Sequence, residues 1–186
     1  MQEEIKMKFT TKQLVFMALL ISVSVILSRI ASLRIAFAGV EGIRIGFGDL
    51  PVILAGMTFG PLSGGIVGAL SDLTGYFINP MGAYMPHFTL VKALSGIIPG
   101  IMVILNERGC RRLLYIGWIV FVTQLATSTL LTPYFLQVLF GIPMGLAALP
   151  RILALVFYTL TFPIIIHTLL VRLGLMDYCR NISPTK

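Results

Sequence analysis

The strongest constraint on this fold is a series of apolar runs of about 20 residues, the length that crosses a bilayer as a helix. They extend from about Lys12 to Leu33, Ile45 to Gly60, Leu62 to Ile78, Leu90 to Leu105, Leu113 to Leu131 and Ile152 to Leu173. The second has a purely apolar core of only about ten residues and is open to a re-entrant reading. It turns at Phe59-Gly60-Pro61 straight into the third. Pro163 inside the sixth predicts a kink, which a membrane bundle tolerates. Only 11% of the residues are charged against 57% hydrophobic, too few charges for a water-facing surface. The expected fold is therefore an all-α integral membrane protein, a single domain over 1–186 with six transmembrane helices and long extracellular loops. No internal repeat and no separate soluble domain is evident, and nothing reads as a cleavable signal peptide.

The net charge of +7 does not point to nucleic acid, because the charges lie between apolar segments and form no basic face. They orient the bundle instead. Lys6, Lys8 and Lys12 precede the first span, Arg108, Arg111 and Arg112 lie between the fourth and fifth, and Arg172, Arg180 and Lys186 follow the sixth. Six spans put all three clusters on one side, which the positive-inside rule makes cytoplasmic, together with both termini. Cys110 and Cys179 then sit in reducing territory, without metal-ligand spacing or a disulfide pattern. The longer loops, Ser32 to Gly48, Asn79 to Phe88 and Thr132 to Pro150, fall outside.

Arg29, Asp72 and Lys92 lie within predicted spans, on their outer halves. A charge at membrane depth costs roughly 2.5–3.5 kcal/mol, so each must face a partner or a cavity. Asp72 continues a row of Gly64 and Gly68, and Tyr76 extends it; Gly96 and Gly100 give the fourth span a similar close-contact face. Asp72 and Lys92 either pair with one another or point into an outward pocket. Phe37, Phe47, Tyr76, Phe77, Tyr84, Phe88 and Tyr134 cluster at the same level. Singly they read as an interfacial belt; beside Arg and Lys they suit a flat anionic ligand. Met81, Met85 and Met144 read as adaptable gap-fillers, and His87 as a loop residue without metal-ligand company. Arg44 and Asp49 flank a Gly-Phe-Gly turn at the mouth of the second span. They either cap that helix toward water or belong to the return arm of an outer loop that closes over the ligand. There is no P-loop and no nucleophile–base set, so an ATPase or a membrane hydrolase is disfavoured. An autonomous transporter would need a polar path through the cytosolic half, which is almost uncharged. These features describe a capture subunit that needs a separate motor.

The run from Arg44 through Gly-Asp-Leu-Pro to Ser71-Asp-Leu-Thr-Gly-Tyr76, followed by Pro86-His-Phe-Thr-Leu90 and Leu94-Ser-Gly-Ile-Ile-Pro-Gly100, resembles the substrate-binding S components of energy-coupling factor (ECF) transporters, above all their folate-specific branch. The resemblance covers nearly the whole chain from Thr10 to Leu173. It implies a six-helix protein that binds a vitamin from outside and joins one membrane T component and two ATPases. ATP is used by those partners, and no cofactor is expected in this chain. Docking on the T component is implied for an Ala-x-x-x-Ala patch on the first helix, matched here by Ala18-Leu-Leu-Ile-Ser22, with the Gly64–Gly68 row as an alternative surface. For folate, the resemblance implies that Asp72 accepts from the pterin amine and ring N–H. Phe47, Tyr76 and Phe88 would stack on the rings. Arg44, Lys92 and Arg151, beside Arg29, would hold carboxylates or carbonyls, and Gln124 and Ser128 would add polar contacts. Riboflavin, thiamine, pantothenate or biotin are the competing cargoes; thiamine is cationic and riboflavin lacks a carboxylate.

Overall fold

The computed structural model describes residues 10–29, 32–37, 40–78, 84–106, 112–141 and 143–175, with side chains omitted at 32–37, 40–45, 140, 144 and 146–150. Helix α1 covers Thr11–Arg29 and leads into an antiparallel hairpin, β1 Ser32–Phe37 and β2 Val40–Gly46. Then follow α2 Asp49–Phe59, α3 Pro61–Ile78, α4 Pro86–Leu105, α5 Leu113–Gln124, a π-helical segment Leu125–Leu131, α6 Thr132–Phe140 and α7 Met144–Arg172. Among the described residues, four helical stretches are long and apolar enough to cross a membrane: Thr11–Arg29, Pro86–Leu105, Leu113–Leu139 and Arg151–Arg172. With α2 and α3 they make a bundle of six helical segments, as the apolar runs predict.

The short second segment is a regular helix at the centre. Every residue from Leu50 to Thr58 is buried, and a helix that is apolar all round belongs inside protein rather than against lipid. Asp49 in its first turn suits the positive end of the helix dipole. Gly60, at φ 91°, ends α2 in a conformation other residues avoid, and Pro61 opens α3 where its missing N–H is harmless. The Gly64–Gly68 row faces inward: a Cβ on Gly64 would lie 2.3 Å from the Gly96 carbonyl oxygen, and one on Gly68 2.3 Å from that of Lys92. This row is consumed in α3–α4 packing, so it does not serve as the alternative docking surface. The core lines α2 and the inner faces of α5 and α7, with Ile53, Met57, Ile116, Ile119, Phe162 and Ile166 fully enclosed.

Two segments read as long loops differ from expectation. Residues 32–37 and 40–46 pair as the hairpin, and Leu33, Ile35 and Phe37 on β1, with Ile43 and Ile45 on β2, carry the alternation of a strand. Residues 132–150, read as a long loop, are mostly helix, with α6 running on from the fifth span to a left-handed Gly141 and α7 already helical from Met144. The π-helical register explains how the chain passes Pro133. Thr132 donates its N–H to Thr127 O five residues back, and the next bond in that register would need the N–H that Pro133 lacks. The carbonyl so released belongs to Ser128.

Candidate functional site

The chain reverses at each connection, so Arg29, the start of α2, the end of α3, the start of α4, the π segment and Arg151 gather at one end. Pairings across the bundle bear this out: Asp49 meets Lys92 and Gln124, Asp72 meets Thr89, and Arg151 meets Ser128. At the opposite end the Tyr115 hydroxyl donates to Met102 O at 2.7 Å.

Lys92 donates to Asp49 Oδ1 in an ion pair that joins α4 to α2. Asp49 Oδ2 accepts from Gln124 Nε2 of α5 at 3.3 Å. Gln124 is fully buried, while Lys92 and Asp49 keep 20% and 26% of their side-chain surface open. Thus Lys92 does face a partner at depth, but that partner is Asp49, and the alternative in which Asp72 pairs with Lys92 is not the one observed. Asp72 accepts from the Thr89 hydroxyl at 2.7 Å. Since that proton is spent on Asp72, the Tyr84 hydroxyl, 2.9 Å away, donates to Thr89. A relay from Tyr84 through Thr89 thereby orients the carboxylate.

Tyr76, one turn beyond Asp72, lies 5.2 Å from Tyr84 and 6.0 Å from Phe77, centroid to centroid. Phe88 is half-buried one turn before Lys92. Phe47 packs against Phe162 at 6.0 Å and Phe157 at 6.2 Å, which places its ring on α7. Arg29 lies along Gly75 of α3, where a Cβ would meet its Nη2 at 3.2 Å. Arg151 donates from Nη1 to Ser128 O at 3.2 Å, filling the carbonyl that Pro133 leaves open. Ser128 thus contributes its main chain to that contact. The Arg44 backbone pairs with Arg34 in the hairpin, and its side chain lies outside the described residues, as do the cationic clusters at 6–8, 108–111 and 180–186, the cysteines, and Met81. Ala18 and Ser22 are exposed on α1, with the serine hydroxyl turned back onto Ala18 O at 3.0 Å.

Asp49 is the participant missing from the sequence-derived site. Its signal was a carboxylate opening a short, almost wholly apolar helix, which also reads as a simple cap. The hairpin's return is fastened nearby. Ser24 of α1 donates to Gly48 O at 2.6 Å, and the buried Tyr158 hydroxyl accepts from the Gly46 N–H at 2.9 Å. Tyr158→Phe removes that acceptor. Amide exchange at Gly46 is expected to rise about fivefold, the equivalent of about 1 kcal/mol, with the bundle otherwise intact. Unchanged exchange would show that the tyrosine does not hold the strand.

An apolar helical bundle with paired charges, oriented carboxylates and aromatic rings drawn together at one end defines a membrane-embedded small-molecule-binding protein. Comparison with known proteins makes this specific. Residues 8–175 match the family model described as ECF-type riboflavin transporter, S component. A relative named Folate transporter FolT, from Clostridium novyi (strain NT), is 38% identical over 129 residues, 69% of this chain and 70% of the relative. A solved structure of FolT bound with folic acid matches with a TM-score of 0.72 and 28% identity, over 88% of this chain and 97% of that one. ThiT from Listeria monocytogenes shares the fold, with a TM-score of 0.65 at 16% identity, over 89% and 97% of the two chains. The chain belongs to the family of S components of ECF transporters. It is accordingly a transport subunit and not an enzyme.

Proposed function

We propose that this chain captures folate from outside the cell and delivers it to an ATP-driven ECF importer. The observation that carries the reading is the end of the bundle that gathers the Asp49–Lys92–Gln124 set and the Thr89-bound Asp72, with Tyr76 one turn from Asp72, Phe88 one turn from Lys92, and Arg29 and Arg151 at the same end. Rings accept a flat heterocycle, carboxylates accept from its N–H groups, and arginines take carboxylates bidentately. Support comes from the relative named as a folate transporter and from the structural likeness to FolT bound with folic acid. In this reading the site end faces outside and both termini are cytosolic, with Arg44 brought over the ligand by the hairpin. Membership of the family implies a T component and two ATPases as partners. The exposed Ala18–Ser22 strip of α1, small in profile, is the face for the T component.

The test is to purify the chain alone in detergent, denature it, and identify any stoichiometric small molecule by absorbance and mass. Folic acid should co-purify or rebind tightly at one per chain without ATP. Riboflavin, the cargo in the matching family model's description, is the competitor. Tight riboflavin binding with no folate binding would overturn the cargo and keep the family.

A further inference from the structure

Two carboxylates reach the site end of the bundle, and they are held differently. Asp49 is tied to Lys92 and Gln124. Half-buried Asp72 is tied through Oδ2 to the Thr89 hydroxyl, and its Oδ1 has no hydrogen-bond partner among the described residues. A carboxylate at membrane depth, able to accept several hydrogen bonds, calls for more donors than one hydroxyl. That hydroxyl is itself unusual in this bundle. Thr58, Thr74, Thr127, Thr159 and Thr168 each give their proton to a carbonyl of their own helix four residues back, the ordinary habit of a helical threonine. Thr89, buried near the start of α4, gives it across to α3 instead. Tyr84, exposed just before α4, favours that choice. Its ring packs on Tyr76 at 5.2 Å, and its hydroxyl, 2.9 Å from Thr89 Oγ1, fills a lone pair there and leaves the threonine proton pointing at Asp72.

We infer that Thr89 and Tyr84 are positioning residues for recognition: together they lock the rotation of the Asp72 carboxylate so that Oδ1 is presented to an N–H donor of the bound molecule. This rests on the folate reading, in which the donors are the amine and ring N–H of the pterin. The terminal torsion of an aspartate is broad, so an untied carboxylate loses freedom on binding, and ordering it beforehand removes that cost. Hydrogen bonds in a chain of hydroxyl, hydroxyl and carboxylate polarise one another. Tyr84 therefore acts on the ligand through Thr89.

Titration of the full chain in detergent with folic acid tests the assignment. Thr89→Val keeps the shape and loses the hydroxyl, and should weaken folic acid by at least about tenfold, the scale of one hydrogen bond to a charged group. Thr89→Ser restores the hydroxyl and should bind within about threefold of wild type. Tyr84→Phe keeps the ring on Tyr76 and should cost about threefold. A double-mutant cycle reads the order of the relay. In the Thr89→Val background, Tyr84→Phe should cost nothing further, because its route to Asp72 is already cut. If Thr89→Val does not fold, the Tyr84→Phe comparison with wild type decides alone. Wild-type affinity in Thr89→Val or in Tyr84→Phe, a serine that fails to rescue, or a Tyr84→Phe loss as large in the valine background as in wild type overturns the relay and leaves the folate reading standing. A wild-type chain that binds no folic acid overturns both.

Discussion

Gly96→Val is expected to abolish the native bundle. A Cβ at residue 96 would lie 2.1 Å from Gly64 O and 2.3 Å from Gly64 C. Reciprocally, one on Gly56 would lie 2.1 Å from Gly96 O, and one on Gly64 would lie 2.7 Å from the Gly56 Cα. Here α2, α3 and α4 touch main chain to main chain. Overpacking among side chains costs about 1–3 kcal/mol because side chains can turn aside. Backbone atoms cannot, so the helices must separate, and a loss of about 3 kcal/mol or more is expected. Separation would also draw Asp49 on α2 away from Lys92 on α4, so any folded remnant should bind poorly. Size-exclusion elution and thermal unfolding in detergent measure this. The control is Gly145→Ala, a helical position where an added Cβ meets nothing within 4 Å, which should stay within about 0.5 kcal/mol of wild type. A Gly96→Val chain melting beside the wild type would show that the contact is looser than these distances say.

That contact was legible in the sequence because small residues four apart on an apolar helix have one main use, close approach of another helix. The charges were half legible. Their cost in an apolar span says that Lys92 and Asp72 must face protein, but not which protein group, since Asp49 is 43 residues from Lys92. Nothing local distinguishes an acid that only sits at a helix N-terminus from one that also reaches a lysine two helices away. The central place of α2 was equally non-local: its run of apolar residues marks it as buried, and only packing decides what surrounds it. At residues 32–46 a period-two pattern was present and lost to the assumption that an outer segment is a loop. Beyond Leu131 the departure runs in the opposite direction, from expected loop to helix, at Pro133. A proline ordinarily stops a helix, but the π register leaves one carbonyl to be filled from Arg151, so the helix passes through and takes the expected loop with it.

Breaking the Lys92–Asp49 pair from one side should cost both stability and binding, whereas removing both partners should restore stability alone. Asp49→Leu leaves an ammonium at membrane depth, and Lys92→Met leaves a carboxylate. Severing a fully buried pair costs about 3–5 kcal/mol. With a fifth to a quarter of each side chain open here, about 1–3 kcal/mol is expected for either variant. The double variant Asp49→Leu/Lys92→Met strands neither member of this pair, and apolar replacements of a buried pair are often neutral or stabilising. Its unfolding free energy should return to within about 1 kcal/mol of wild type, giving a coupling term of opposite sign to the single losses. Ligand affinity should not return, because the apolar pair offers a heterocycle neither donor nor acceptor. Recovery of stability without recovery of binding separates the two roles: the bundle can be held without this pair, so the pair's place in it is set by recognition. If the double variant is as unstable as the singles, the pair is instead a structural clasp between α2 and α4, and recognition lies elsewhere at this end of the bundle.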